Sequence, residues 1–174
     1  MKPSQRLSTK DLALISMSVA IITVCAWISI PFTIPVTLQT FSIFLTISLL
    51  GRYKSFLAVT IYLLLGAVGC PVFSGFTGGI GHLLGPTGGY LTGFLFSSLI
   101  GGTLSEHSGK GKPAYFLSMG AGLFSCYLFG TFWFLLTFIR SFTAENILTA
   151  LSVCVIPFII PDICKMILSF LIVR

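Results

Sequence analysis

The sequence predicts an all-α integral membrane protein, a compact bundle of six transmembrane helices with both termini on the cytoplasmic side. Three observations carry that prediction. The first is composition: of 174 residues, 55% are hydrophobic and 8% are charged, and the mean hydropathy is +1.04. An ordinary soluble domain carries roughly 25% charged residues, so ten Lys/Arg and four Asp/Glu cannot furnish a water-facing surface for this chain. The second is that apolar residues gather into six segments. The third is that basic residues fall almost entirely on alternate connections between them. The same composition excludes disorder, which needs low hydrophobicity and high charge. It also argues against nucleic-acid binding, because the net charge of +6 is scattered along an apolar chain and makes no basic face.

The segments run approximately over 12–30, 38–51, 55–69, 89–105, 114–139 and 147–172. A membrane helix takes about 20 residues, so six of them use roughly 120. That leaves short loops, one compact transmembrane domain over residues 1–174, and no space for a soluble catalytic domain. The first segment follows Lys2, Arg6 and Lys10 as a signal peptide would. Its apolar run is long, no small-x-small cleavage pattern closes it, and further spans follow, so it reads as a helix. The second and third are short and interrupted. In the fourth, Gly89, Gly93, Ser97 and Gly101 recur every four residues as a stripe for close helix packing. Ala13, Ser16 and Ala20 make a similar face on the first segment, suited to a neighbouring helix or to another membrane protein. Pro157 and Pro161 are expected to break the sixth.

With six spans, Lys2, Arg6, Lys10, Arg52, Lys54, Lys110, Lys112 and Arg174 all fall on one side, and Arg140 alone on the other. Basic loops stay cytoplasmic, which sets the orientation. The outer connections then become informative. Residues 31–37 contain Pro31 and Pro35 and no charge. Residues 69–89 hold eight of the 18 glycines and no Lys or Arg, yet also Val72, Phe73, Phe76, Ile80, Leu83 and Leu84. Irregular backbone at membrane depth is tolerated only where protein buries it or it lines a cavity, and glycine permits close backbone approach. This loop is therefore either a tightly packed re-entrant connection or a wall of a ligand site.

Asp162 and Lys165 are ionisable residues inside the sixth segment, three apart and so on one helix face. Each alone at the bilayer centre costs about 2.5–3.5 kcal/mol on an insertion scale. The pair is either an internal ion pair that orients the helix or a polar clamp at the floor of an outward-opening cavity. A broken helix beside intramembrane charge is a pointer to a midplane binding site. His82 and His107 are lone histidines in an outer and an inner loop, and Trp27 and Trp133 read as interface anchors or core. Cys25, Cys70, Cys126, Cys154 and Cys164 form no C-x-x-C, so they suggest neither a disulfide framework nor zinc and read as buried small apolar residues. No phosphate-binding loop, H-E-x-x-H or G-x-S-x-G occurs. No metal site, cofactor or enzymatic activity is expected. Two readings remain open from the residues alone: a transporter of a small anion of about vitamin size, and an intramembrane hydrolase built on Ser74 and His82.

Four stretches then carry a resemblance. Ile34–Phe41 (Ile-Pro-Val-Thr-Leu-Gln-Thr-Phe), Tyr62–Phe73, Gly85–Leu91 (Gly-Pro-Thr-Gly-Gly-Tyr-Leu) and Pro157–Lys165, with its Asp-x-x-Lys, resemble the BioY family in order over most of the chain. The resemblance implies a biotin-capturing S component of an energy-coupling-factor (ECF) transporter in the cytoplasmic membrane. Biotin is then the transported ligand, and a membrane coupling subunit with two ATPase subunits supplies the energy. On the matching motifs, the implied binding residues are Gln39 and Thr40, a loop contributing Phe73, Thr77, Gly78, Gly79, Thr87, Gly88 and Tyr90, and Asp162 with Lys165. Asp162 would accept the ureido N–H groups, and Lys165 would donate to the ureido carbonyl or pair with the carboxylate, as charge-assisted bonds in a water-poor pocket. Phe73 and Tyr90 would cover the rings. S components of this type dock the coupling subunit through an Ala-x-x-x-Ala face on the first helix. Here those spacings hold Ala13 with Met17 and Ser16 with Ala20.

Overall fold

Ser8 opens the first helix, α1 (Thr9–Trp27), with a capping box: its hydroxyl accepts from the Asp11 amide at 3.2 Å, and the Asp11 carboxylate accepts from the Ser8 amide at 3.1 Å. The cap lies ahead of the apolar run, so α1 begins three residues before the expected start. In this computed structural model, residues 7–31, 34–109, 111–139 and 143–173 are described. Lys2, Arg6, Lys110, Arg140 and Arg174, part of the charge asymmetry above, lie outside the described residues, as do positions 32–33 of the first outer connection. Past Trp27 the chain turns extended. The strand β1 (Ser29–Ile30) pairs antiparallel with β2 (Val36–Thr37), Ser29 opposite Thr37, so the expected end of the first span is a hairpin instead of helix.

The next helix, α2 (Gln39–Ala67), is interrupted at Gly51, whose φ of 71° and ψ of −174° fall in a region that essentially only glycine occupies. Gln39 Nε2 donates to Tyr62 Oη at 2.7 Å, although 23 residues of straight helix would separate them by about 35 Å. The two arms, 39–50 and 52–67, therefore fold back on each other about Gly51. The expected second and third segments are both present, joined by one glycine. Glu106 Oε1 accepts from the Arg52 amide at 2.9 Å and so caps the second arm.

The connection 68–87 contains a 3₁₀ turn at Ser74–Phe76 and a short helix α3 (Ile80–Leu84). It leads into α4 (Gly88–His107), and α5 (Lys112–Phe134) follows and runs into a π-helical turn at Leu135–Ile139. The small-residue stripe of α4 faces α5: a Cβ at Gly93 would stand 2.9 Å from Cys126 Sγ, and Ser97 Oγ donates to the Gly122 carbonyl at 2.6 Å. The sixth apolar segment forms α6 (Ala144–Cys154) and α7 (Ile156–Val173). The break falls at Val155, just ahead of Pro157, while Pro161 sits within α7 and does not end it. A proline in the first turn removes an amide that has no helical acceptor in any case, which is why the helix restarts there.

Among the described residues, Thr9–Trp27, Gln39–Ala67, Lys112–Ile139 and Ala144–Val173 are long and apolar enough to cross a membrane. Lys54 Nζ meets Asp11 Oδ1 at 2.5 Å, and this pair, Arg52, Glu106 and Lys112 gather at the Gly51 end of the bundle. The hairpin and the 68–87 connection occupy the opposite end. Ile22, Phe44, Tyr62, Phe73 and Met119 form the centre of the core. Cys25, Cys126 and Cys154 are buried as expected, Cys70 is half-buried, and Cys164 is exposed.

Candidate functional site

α7 brings Asp162 and Lys165 to the floor of a cavity at the end opposite Gly51; it holds about 630 Å³ of empty space counted out to its mouth. Asp162 is 1% exposed and Lys165 7%. An isolated buried charge is costly, and a buried pair is tolerable only with good geometry and further hydrogen bonds. Both are present. Lys165 Nζ donates to Asp162 Oδ1 at 2.6 Å and to Thr40 Oγ1 at 3.0 Å, and the Thr40 hydroxyl donates to Asp162 Oδ1 at 2.7 Å. Tyr127 of α5 donates to Asp162 Oδ2 at 2.5 Å. A carboxylate has about four acceptor positions and an ammonium three donors. Among the described residues, Asp162 thus uses three and Lys165 two. One acceptor position and one N–H remain for a ligand.

Gln39 joins the surrounding elements. Its Oε1 accepts from Thr37 Oγ1 at 3.0 Å, its Nε2 donates to Tyr62 Oη, and Tyr62 in turn donates to the Val72 carbonyl at 3.1 Å. The hairpin, both arms of α2 and the start of the 68–87 connection are thereby tied together. Tyr90 places its ring against Gly130 and its hydroxyl 3.0 Å from Thr131 Oγ1. The remaining wall is largely apolar, with Ile34, Pro35, Leu91, Phe94 and Phe158 beside the thiols of Cys126 and Cys154.

Of the residues expected at the site, Gln39, Thr40, Thr87, Tyr90, Asp162 and Lys165 line this cavity. Phe73, Thr77, Gly78, Gly79 and Gly88 stand outside its walls. Phe73 is fully buried behind them, its ring laid on Gly66, edge-on to Tyr62 and face-on to His82 with centroids 5.3 Å apart. Gly78 lies against the Cys70 carbonyl and Gly88 against the Leu83 carbonyl, so their close approach is to protein backbone. Gly79 has φ 100° and starts α3. Thr77 is exposed; its hydroxyl donates to the Ser74 carbonyl at 2.8 Å and lies 3.3 Å from His82 Nδ1. Ser74 and His82 themselves line the cavity, and burial holds the His82 imidazole below its ordinary value. Both tryptophans clamp this connection. Trp27 Nε1 donates to the Pro71 carbonyl at 2.9 Å and its ring stacks on Phe76, while Trp133 Nε1 donates to the Gly85 carbonyl at 3.0 Å.

Tyr127 is the polar contact that sequence reasoning passed over. Its signal was available, since a phenol amid an apolar span needs a partner and Asp162 is among the few acceptors. Cys126 and Cys154 carried no comparable signal. On the far side of α1, Ala13, Ser16 and Ala20 are exposed on one face, with Met17 beside them.

The BioY family model matches residues 1–174. The chain belongs to the BioY family. Its relatives include the biotin transporter BioY of Thermotoga maritima, 43% identical over 155 residues that cover 88% of this chain and 87% of the relative. Another, the probable biotin transporter BioY of Pyrococcus horikoshii, is 41% identical over 160 residues, 91% of each chain. The fold is similar to the crystal structure of the S-component for biotin from an ECF-type ABC transporter, with a TM-score of 0.82 and 26% identity, covering 100% of this chain and 93% of that one. This BioY chain is accordingly a multi-pass membrane protein, and its ion pair lies in α7 at the base of the open-mouthed cavity.

Proposed function

We propose that this BioY chain captures biotin and carries it across the cytoplasmic membrane as the substrate-specific subunit of an ECF-type transporter. It is a transport subunit and not an enzyme. The observation that carries the reading is the cavity floor, a buried ion pair with one acceptor position and one N–H left over, set among apolar walls. Biotin's ureido group offers the complementary pair, one N–H donor for Asp162 and a carbonyl for Lys165. The fused rings then lie along Tyr90, Phe94 and Phe158, and the valerate chain runs toward the mouth. Such pockets combine apolar walls with a few placed polar groups.

Lys10, Arg52, Lys54 and Lys112 are placed on the cytoplasmic side by the preference of basic loops for it, so the cavity opens outward. The hairpin and the 68–87 connection close over bound biotin. The exposed Ala13, Ser16 and Ala20 face of α1 receives a membrane coupling subunit, and two ATPase subunits drive release inside. The first test is equilibrium binding of biotin to the purified protein in detergent. Nanomolar affinity without any partner is the expected result, and an absence of binding at high micromolar biotin would end the reading.

A further inference from the structure

His82 is a second base in the cavity wall, and the hydrogen bonding around it favours one tautomer. The Thr77 hydroxyl spends its proton on the Ser74 carbonyl at 2.8 Å, so at the 3.3 Å contact with His82 Nδ1 it accepts. Nδ1 therefore carries the hydrogen, and Nε2 is a bare acceptor in the neutral ring. The ring plane is held face-on against Phe73 at 5.3 Å and 22°, and Phe73 is itself backed by Tyr62. A proton added at Nε2 leaves both the stack and the Thr77 bond in place.

The floor cannot serve a carboxylate equally well. Lys165 is committed to Asp162 at 2.6 Å, so an anion beside it also meets the Asp162 carboxylate. Residues 69–89 contain no Lys or Arg. Among the described residues that line the cavity, Lys165 and His82 are the only bases. Resting on the capture reading above, which sets the ureido group at the floor, we propose that His82 is the cation for the ligand's carboxylate: binding brings that carboxylate to Nε2 and draws a proton from solvent onto the same nitrogen.

The other titratable groups on the cavity wall are Tyr90, Cys126, Tyr127, Cys154, Asp162 and Lys165, with Tyr62 behind the stack. Phenols and thiols ordinarily titrate above about pH 8, outside the window of a histidine, and comparison with His82→Phe separates the histidine from the Asp162–Lys165 pair. Burial lowers the proton affinity of the imidazole, and a bound anion raises it. Affinity for the anion therefore grows as pH falls from the bound toward the free value and levels off below the latter.

The test measures biotin and biotin amide binding between about pH 8 and pH 5, with the wild type and His82→Phe, which retains an aromatic ring for the stack. Wild-type affinity for biotin should rise by up to about tenfold per pH unit on acidification, with no slope for the amide or for His82→Phe. Amide binding by His82→Phe shows that its cavity is formed. A flat biotin profile in the wild type, a slope kept by His82→Phe, or an equal slope for the amide each overturns the assignment while leaving biotin capture standing. No biotin binding at any pH overturns the capture reading and this proposal with it.

Discussion

Asp162→Asn preserves the shape of the carboxylate and removes its charge, which leaves Lys165 as an uncompensated buried cation. Breaking a buried pair from one side costs about 3–5 kcal/mol, and a hydrogen bond to a charged group contributes about 1.5–3 kcal/mol. Asp162→Asn and Lys165→Met should each weaken biotin binding by about 10–100-fold, the factor that corresponds to that hydrogen bond. Removing both charges together should harm folding less than the two single changes summed, because no lone charge remains. A double-mutant cycle on unfolding and on biotin affinity checks both statements. Full affinity in both single variants would make the pair purely structural. Tyr127→Phe removes one of the three bonds to Asp162 and should cost about tenfold in affinity, near the lower end for a charged acceptor. Asp162 and Lys165 were legible in the sequence because two charges in an apolar span stand out. Thr40 entered only through the family resemblance. Tyr127 had a signal, a phenol in an apolar span, that went unused, whereas the Gln39–Tyr62 bond was hidden, since such pairings depend on how each helix is rotated about its axis, and uniformly apolar segments encode that weakly.

Gly51 shows the same limit one level up. The sequence supports two short apolar segments around Arg52 and Lys54, yet nothing in their periodicity says that a single residue reverses the chain between them. The reversal requires the backbone at φ 71° and ψ −174°, with Glu106 Oε1 only 3.1 Å from where a Cβ would sit. Gly51→Ala should therefore lower unfolding stability by about 1–3 kcal/mol. Gly120→Ala, at a helical position on α5 where an added Cβ meets nothing within 4 Å, is the control expected to lose none. Thermal unfolding of both variants in detergent separates the two cases. The break in the last span was anticipated from Pro157 and Pro161, and only the former coincides with it. The glycine-rich connection, expected either as a packed re-entrant segment or as a wall of a ligand site, is only partly packed, with Ser74, His82 and Thr87 on the cavity wall. Its Val72 and Phe73 enter the core, whereas Phe76, Ile80 and Leu84 remain exposed.

At the scale of the molecule, the cavity lining and the exposed α1 face share no residue. The cavity is bounded by α2, α4, α5 and α7, while Ala13, Ser16 and Ala20 project outward from α1. A bulky residue on that face should obstruct a partner helix without reaching the ligand. Ala20→Trp is expected to abolish biotin uptake in cells that supply the coupling module and to leave biotin binding by the purified subunit unchanged. Loss of both together would argue that this face supports the fold and not the docking. The six-segment bundle was legible because membrane burial demands long apolar stretches, and a BioY-type fold with TM-score 0.82 to a biotin S-component bears that out. The hairpin after α1 was not legible, because its two-residue strands are set by the chain ends they connect.

The sequence contains two tryptophans, and both donate their indole N–H to carbonyls of the connection that overhangs the cavity. The molecule thus carries its own optical gauge. If that connection settles onto biotin, the intrinsic emission of the unlabelled protein should change along the binding isotherm, and Trp27→Phe and Trp133→Phe should each remove a separate share of the signal.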